Sequence, residues 1–181
     1  MSLDGMKVGW IGAGKMGGPM SRRLTGAGAT LAVHDPVAAN AEAVVATGAR
    51  AASSNHDATV DADIVVSMIP NDAVLRAITI GDEGIIANLA PGTIYVDMST
   101  VSPEVSAEVA AAATAAGIEY LRAPVSGSTV LAEAGKLTIM VSGPKDAADK
   151  CANLFAAMSA EQIYLGADDQ ARYLKLVINL L

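Results

Sequence analysis

Met6-Lys-Val-Gly-Trp-Ile-Gly-Ala-Gly-Lys-Met-Gly17 reads as a buried strand that runs into a glycine-rich turn and then a helix. Gly12, Gly14 and Gly17 keep the spacing G-x-G-x-x-G. The first glycine permits a tight turn, the second lets a pyrophosphate approach the backbone, and the third lets helix and strand pack closely. Ala13, Lys15 and Met16 complete the turn, and a negative ligand would sit on its unpaired helix N–H groups. By itself the pattern is equally a turn between two core elements. Its surroundings argue for more: Met16, Met20 and Leu24 recur at helical spacing, and a second strand, Ala29–His34, ends at Asp35. That acidic residue stands about 20 positions past the fingerprint, where a ribose 2′-hydroxyl needs an acceptor, so the segment predicts dinucleotide binding.

Working outward, helical spacing runs from Ala38 to Thr47 and stops at Gly48. Ala49–Ala52 reads as a short strand, and Ser53 to Asp57 supply cap residues for a brief helix. Asp63–Ile69 is a continuous apolar run, as expected of a strand buried on both faces, and Pro70-Asn-Asp then opens a helix to about Ile78. Thr93–Met98 is the next strand, followed by an Ala-rich helix that stops at Gly117. Further strands are expected at 118–121 and 137–142, a helix from Pro144 to about Ala157, and a last strand at 161–164 that closes the sheet. Strand and helix alternate with short connectors, which predicts an α/β, Rossmann-type, doubly wound, mostly parallel sheet over residues 1–166. Gly166 is the boundary. Beyond it, Asp168 or Asp169 can cap a strongly apolar helix over 171–181, the start of an interdomain helix whose apolarity calls for more protein packed upon it.

The 181 residues suffice for one well-buried domain plus an appendage. With 52% hydrophobic but only 3% aromatic residues, the core must be made of Ala, Val, Ile, Leu and Met. A net charge of −7 with scattered basic residues argues against a nucleic-acid partner or an anionic membrane surface. No apolar run reaches membrane-spanning length, and the start lacks the regions of a secretion signal. Met1-Ser-Leu ahead of Met6 reads as a leader outside the fold. The single Cys151 has no partner for a disulfide and no His near it in sequence, so it reads as a buried structural thiol in a reducing, cytoplasmic compartment. No metal site is expected.

Four segments together resemble the β-hydroxyacid dehydrogenase family, which includes 3-hydroxyisobutyrate dehydrogenase, tartronate semialdehyde reductase and, more distantly, 6-phosphogluconate dehydrogenase. Ile11–Met20 is close to the family's G-x-G-x-M-G-x-P-M; Asp97-Met-Ser-Thr-Val-Ser-Pro103 matches D-x-S-T-x-x-P; Ala123-Pro-Val-Ser-Gly-Ser128 and the strand after it resemble the A-P-V-S-G-G substrate loop; and Lys175-Leu-Val-Ile-Asn179 matches the lysine with an asparagine four residues later. The resemblance spans nearly the whole chain. It implies an oxidoreductase that passes hydride between a nicotinamide cofactor and a small 3-hydroxy acid or its semialdehyde.

On a helix Lys175 and Asn179 project from one face and can touch one ligand. The resemblance makes Lys175 the group that exchanges the proton of the substrate hydroxyl, with Asn179 holding the substrate. Oxidising an alcohol needs a base and reducing a carbonyl needs an acid, and a partly desolvated ammonium can serve both ways. Taken alone, Lys175 reads first as a surface lysine on an amphipathic helix, and it is the other three motifs in register that favour the catalytic role. Ser126 and Gly127 sit in a turn where hydroxyl and N–H groups can bind a carboxylate, or where a serine merely caps a helix. By analogy Thr100 lies beside the nicotinamide. Met68 and Pro70 follow a strand's C-terminal end, where such a sheet holds its ligand, although a Met there is as often core. Asp35 followed by Pro36 would accept from a free 2′-hydroxyl and repel a phosphate, which predicts NAD rather than NADP.

Departures from the family pattern fall near the substrate. Arg122 stands where an Asp is usual, Ser128 replaces a glycine, Ile178 replaces the first of two asparagines, and Asp169-Gln-Ala171 replaces Gly-x-Gly. Arg122 and Ser128 are therefore candidates to enlarge or recharge the anion site. In the family the lysine helix continues into an all-helical C-terminal domain that forms the dimer, which implies a homo-oligomer and little turnover by these 181 residues alone. Two other readings compete: a catalytically silent dinucleotide-binding module, and an S-adenosylmethionine methyltransferase, which the Met-Gly helix start and the P-V-S-G loop fit poorly.

Overall fold

The computed structural model describes residues 2–81 and 83–180. Strand β1 (Lys7–Ile11) is buried beyond its first residue because it has parallel neighbours on both edges, β2 (Thr30–His34) and β4 (Ile64–Ser67). With β3 (Arg50–Ala51), β5 (Ile94–Asp97) and β6 (Glu119–Arg122) they form a six-stranded, all-parallel sheet of order β3-β2-β1-β4-β5-β6. The sheet is doubly wound, as expected, with the strand order of the Rossmann type. Its direction of winding reverses between β1 and β4, and a ligand crevice opens there at the strands' carboxyl ends.

Alternation along the strands builds two cores. Trp10, Val66, Val96 and Leu121 share one register row and join the core on one face, while Val65, Tyr95 and Tyr120 share the next row and join the other. The two tyrosines stack at 5.5 Å in the second core, while Trp10 and Phe155 are buried in the first. The helices α1 (Gly17–Gly26), α2 (Ala38–Val45), α3 (Asn55–Thr59), α4 (Asp72–Thr79) and α5 (Pro103–Ala116) connect these strands. Their ends are set by local chemistry. Asn71 and Ser102 accept from Val74 N and Val105 N as N-caps, Pro103 takes the first turn of α5, and Gly117 ends it in a left-handed conformation.

Three expectations are corrected. The strands after β6 do not continue the first sheet: β7 (Val125–Ser126), β8 (Leu137–Val141) and β9 (Ser159–Tyr164) form a second sheet, with β7 antiparallel and β9 parallel to β8. Pro124 has no N–H to extend a parallel ladder, so the chain turns out after Ala123 N donates to Asp97 O, and the Pro124 carbonyl accepts from Met140 instead. A bridge between Arg122 and Ser142 joins the sheets. The helix expected from Pro144 to Ala157 is two helices, α7 (Lys145–Lys150) and α8 (Ala152–Met158), parted at Cys151, whose ψ of −2° re-aims the chain. Leu3, expected to lie outside the fold, is also part of it: it is 2% exposed in the core and its N–H donates to Ala27 O.

Helix α6 (Thr129–Ala134) follows β7, and α9 (Gln170–Leu180) follows β9. Asp169 starts α9 through its backbone carbonyl, which accepts from Arg172 and Tyr173, while its carboxylate is engaged elsewhere. Tyr173, Leu176, Val177, Ile178 and Leu180 are exposed along α9. Leu181, the last residue of the expected helix, lies outside the described residues. Among the described residues no helix is long and apolar enough to cross a membrane.

Candidate nucleotide cleft and the lysine helix

The β1–α1 turn is shaped by close backbone approach. Gly12 has φ +91°, and a Cβ there would stand 2.3 Å from Met68 O; a Cβ on Gly17 would stand 2.0 Å from Gly12 O. Trp10 Nε1 donates to that same Gly12 carbonyl at 2.8 Å and fixes the turn from below. Gly14 differs, since no atom lies within 4 Å of where its Cβ would be. Helix α1 starts without a side-chain cap and without an acidic residue in its first turn, so its positive end is left open to the cleft.

Asp35 stands opposite. Its Oδ2 accepts from Ala13 N at 2.8 Å, and its Oδ1 accepts from Val37 N at 2.8 Å and Asn40 Nδ2 at 3.0 Å. The carboxylate is thereby held in one orientation at the end of β2. Between it and the β4–α4 turn lies a cleft of about 610 Å³, within the range of small-ligand sites. Of the expected cofactor residues, Gly12, Gly14, Lys15, Met16 and Gly17 line it from one side, and Asp35, Met68 and Pro70 from the others. Ala13 is buried behind them and reaches the site through its bond to Asp35. Thr100 is exposed and outside the cleft.

Sequence reasoning missed Asn40, Asn55, Ile69 and Ile78, which also line the cleft. Asn40 had a usable signal, since a side-chain amide five residues past Asp35 on a helix start can reach back to it. Asn55 had none, because only the fold brings α3 to this edge.

The expected substrate residues lie on other elements. Ser126 is half-buried in β7, paired with Thr138; Gly127 has φ +138°; and Ser128 precedes α6 without a side-chain cap bond. Lys175 is half-buried on α9, where desolvation lowers its pKa below the ordinary lysine value, and Asn179 is exposed one turn on. None of these lines the nucleotide cleft.

Arg122 is placed differently from the expectation. It is 6% exposed, its Nε donates to Asp169 Oδ1 at 2.7 Å, and its guanidinium lies 4.7 Å over the Tyr120 ring. Its charge is matched within the chain, and it fastens β6 to the start of α9 instead of facing an outside anion.

Sequence reasoning also missed Arg172. It is 1% exposed and ion-paired with Asp97, itself fully buried. Burial works against its charge, but Tyr120 and Asp97 beside it more than offset that, and its pKa stays above the ordinary arginine value. A charged residue inside an apolar helix pattern was the available signal.

Comparison with known proteins places these features. Residues 7–166 match the family model for the NAD binding domain of 6-phosphogluconate dehydrogenase. The NAD-dependent L-serine dehydrogenase of Pseudomonas aeruginosa is 39% identical over 175 residues, which is 97% of this chain and 59% of that protein. The 2-(hydroxymethyl)glutarate dehydrogenase of Eubacterium barkeri is 37% identical over 176 residues, 97% of this chain and 58% of that protein. A solved structure of Mycobacterium tuberculosis 3-hydroxyisobutyrate dehydrogenase with L-serine superposes with a TM-score of 0.92 at 31% identity, covering 99% of this chain and 60% of that one. The chain thus spans less than two thirds of the length of these relatives.

Proposed function

The chain belongs to the family of the NAD binding domain of 6-phosphogluconate dehydrogenase, and from that premise we propose that it is the cofactor-holding part of an NAD-dependent dehydrogenase acting on a small 3-hydroxy acid or its semialdehyde. The observation that carries this reading is the oriented Asp35 carboxylate facing the open Gly14 turn across one cleft. The residues fit a dinucleotide: the uncapped start of α1 suits a pyrophosphate, and Asp35 suits a ribose diol.

When bound, NAD supplies the acceptor for the hydride that leaves the substrate carbon. The chain supplies the rest. In the neutral form Lys175 accepts the hydroxyl proton as the hydride departs, and in the ammonium form it returns that proton to the carbonyl oxygen in the reverse direction. Its partial desolvation supports this role, because a lowered pKa leaves more of the free amine near neutral pH. Asn179, one turn along the same face of α9, holds the substrate, and Ser126, Gly127 and Ser128 offer hydroxyl and N–H groups to its carboxylate. Arg122, paired with Asp169, is left out of this assignment, and Thr100, in the turn after β5, is kept as the residue beside the nicotinamide.

We further read 1–166 as the dinucleotide-binding domain and α9 as the beginning of an interdomain helix whose exposed apolar side is covered by more of the same protein, in a homo-oligomer. The single buried thiol supports assignment to the reducing cytoplasm. The test is a panel of hydroxy acids given to the full-length protein with NAD, followed by NADH absorbance. Turnover on a 3-hydroxy acid, lost in Lys175→Ala, is expected; tight NAD binding with no turnover on any acid overturns the enzymatic reading in favour of a silent module.

A further inference from the structure

A buried cluster of polar and charged side chains lies under the first turn of α9. One terminal nitrogen of Arg172 donates to Ser99 O at 2.6 Å; the other donates to the Asp97 carboxylate and to the Tyr120 hydroxyl at 3.0 Å; and Nε donates to Ser106 Oγ at 3.3 Å. The second oxygen of Asp97 accepts from the hydroxyls of Ser67 and Ser99, each at 2.6 Å. Ser99 Oγ in turn accepts from Ile69 N at 2.9 Å, and Ile69 is part of the nucleotide cleft wall. Among the described residues no buried side-chain nitrogen or oxygen lacks a partner. A continuous run of hydrogen bonds therefore joins the cleft wall to α9: Ile69, Ser99, Asp97, Arg172.

Adhesion alone does not call for this arrangement. Burying both ions has a desolvation penalty of several kcal/mol each, and a well-packed apolar pair would hold the helix as firmly. What the fork adds is register. Its donors meet groups from two strands and the loop after β5 at once, and they do so in only one rotation and height of α9. Apolar contacts tolerate sliding because they are non-directional; this set of directed hydrogen bonds does not. Lys175 lies three residues on from Arg172, and is therefore its neighbour along the helix surface.

We propose that Arg172 is a positioning residue: its buried fork on Asp97, Ser99 and Tyr120 fixes the register of α9 and so the place of the Lys175 amine, and through Ser99 it ties that place to the wall of the nucleotide cleft. This rests on the reading of Lys175 as the proton-exchanging group. It also accounts for a polar core at a point where a helix of this apolarity could have been seated without one.

The test uses the full-length protein and Arg172→Lys, which keeps the charge that Asp97 requires and removes the fork. Three quantities are read: kcat, KM for NAD, and the pH midpoint for acylation of Lys175 followed by peptide mass spectrometry. A displacement of about 1 Å at a reacting group lowers turnover about 100-fold, so kcat should fall 10-fold to 100-fold with KM for NAD within about twofold. The acylation midpoint should move toward that of an ordinary lysine. Parent values of kcat and midpoint in a folded Arg172→Lys overturn the proposal. If that variant does not fold, Tyr120→Phe removes a single donor–acceptor pair from the fork, and a severalfold loss of kcat at unchanged KM for NAD is then expected, with parent kcat overturning it. Lys175→Ala is run in parallel. If it retains kcat, the role given to Lys175 fails, and the acylation midpoint, which needs no turnover, still decides whether Arg172 places the amine.

Discussion

The Asp35 carboxylate accepts a hydrogen bond from the Ala13 backbone N–H, 2.8 Å away, so the acidic end of β2 and the glycine turn of β1 form one unit. Val37 N and Asn40 Nδ2 hold the other oxygen. The orientation presented to a ribose is thus built before any nucleotide arrives. Hydrogen bonds to a charged group contribute about 1.5–3 kcal/mol, so Asp35→Ala should raise the Kd for NAD by roughly 10-fold to 100-fold. Kd for NADP should change less, because the same substitution removes a negative charge from beside the 2′-phosphate. Titration calorimetry with both nucleotides checks the narrowing of that ratio.

The glycines of the fingerprint should separate by kind. Gly17→Ala drives a Cβ into Gly12 O at 2.0 Å, a backbone clash that the fold must move to relieve. Such overpacking costs about 1–3 kcal/mol, and Tm should fall by several degrees. Gly14→Ala meets nothing within 4 Å and should leave Tm unchanged, while the added methyl occupies the space a pyrophosphate needs and NAD binding is lost. Thermal melts with and without NAD distinguish the two; a large loss of Tm in Gly14→Ala would contradict the open turn.

Why these elements were readable and others were not has a physical basis. The six strands of the first sheet and the cleft follow from local signals: strand periodicity, a glycine spacing with one steric meaning, and cap residues such as Ser102 with Pro103. The second sheet did not follow, because the missing N–H of Pro124 is a local fact whose consequence, a change of sheet, depends on where β8 lies. Arg122 misled for a related reason. A basic residue beside a substrate-loop motif looks available until the fold brings Asp169 to it from 47 residues away. Arg172 was passed over because its partners Asp97, Ser99, Ser106 and Tyr120 are scattered through the chain and meet only in three dimensions.

Cys151 should behave as core. It is fully buried at the junction of α7 and α8, and burial pushes its thiol pKa up to about 12. The thiolate is the reactive species, so the native protein should resist iodoacetamide at pH 8 and label stoichiometrically once unfolded in guanidinium. Rapid labelling of the folded protein would mean that the α7–α8 junction opens.

Two arginine pairs should differ sharply in what they contribute. Arg76 reaches Glu108 with two bonds of 2.6 and 2.7 Å, but both side chains are about half exposed. Arg76→Ala should cost less than about 1 kcal/mol, and that loss should vanish in high salt. Arg172→Met strands Asp97 without its countercharge in a fully buried site, and about 3–5 kcal/mol should be lost, insensitive to salt. Urea unfolding at low and high ionic strength measures both.

The last expectation concerns pH and Lys175. Desolvation lowers the amine's pKa from the ordinary value of 10.5, since the charged form is the one that burial disfavours. Oxidation of the hydroxy acid needs the free amine, so kcat in that direction should rise with pH through a limb centred below 10.5 and then level off. Reduction needs the ammonium, and its rate should fall through the same limb. The unfolded chain, with the higher pKa, binds more protons between the two values, so folding stability should increase slightly as pH rises across that interval. Lys175→Ala should abolish the limb in both directions and lower kcat about 100-fold or more, with Kd for NAD unchanged, because the lysine lies outside the nucleotide cleft. A limb that survives the substitution would transfer the proton to another group and leave Lys175 a solvated residue on α9.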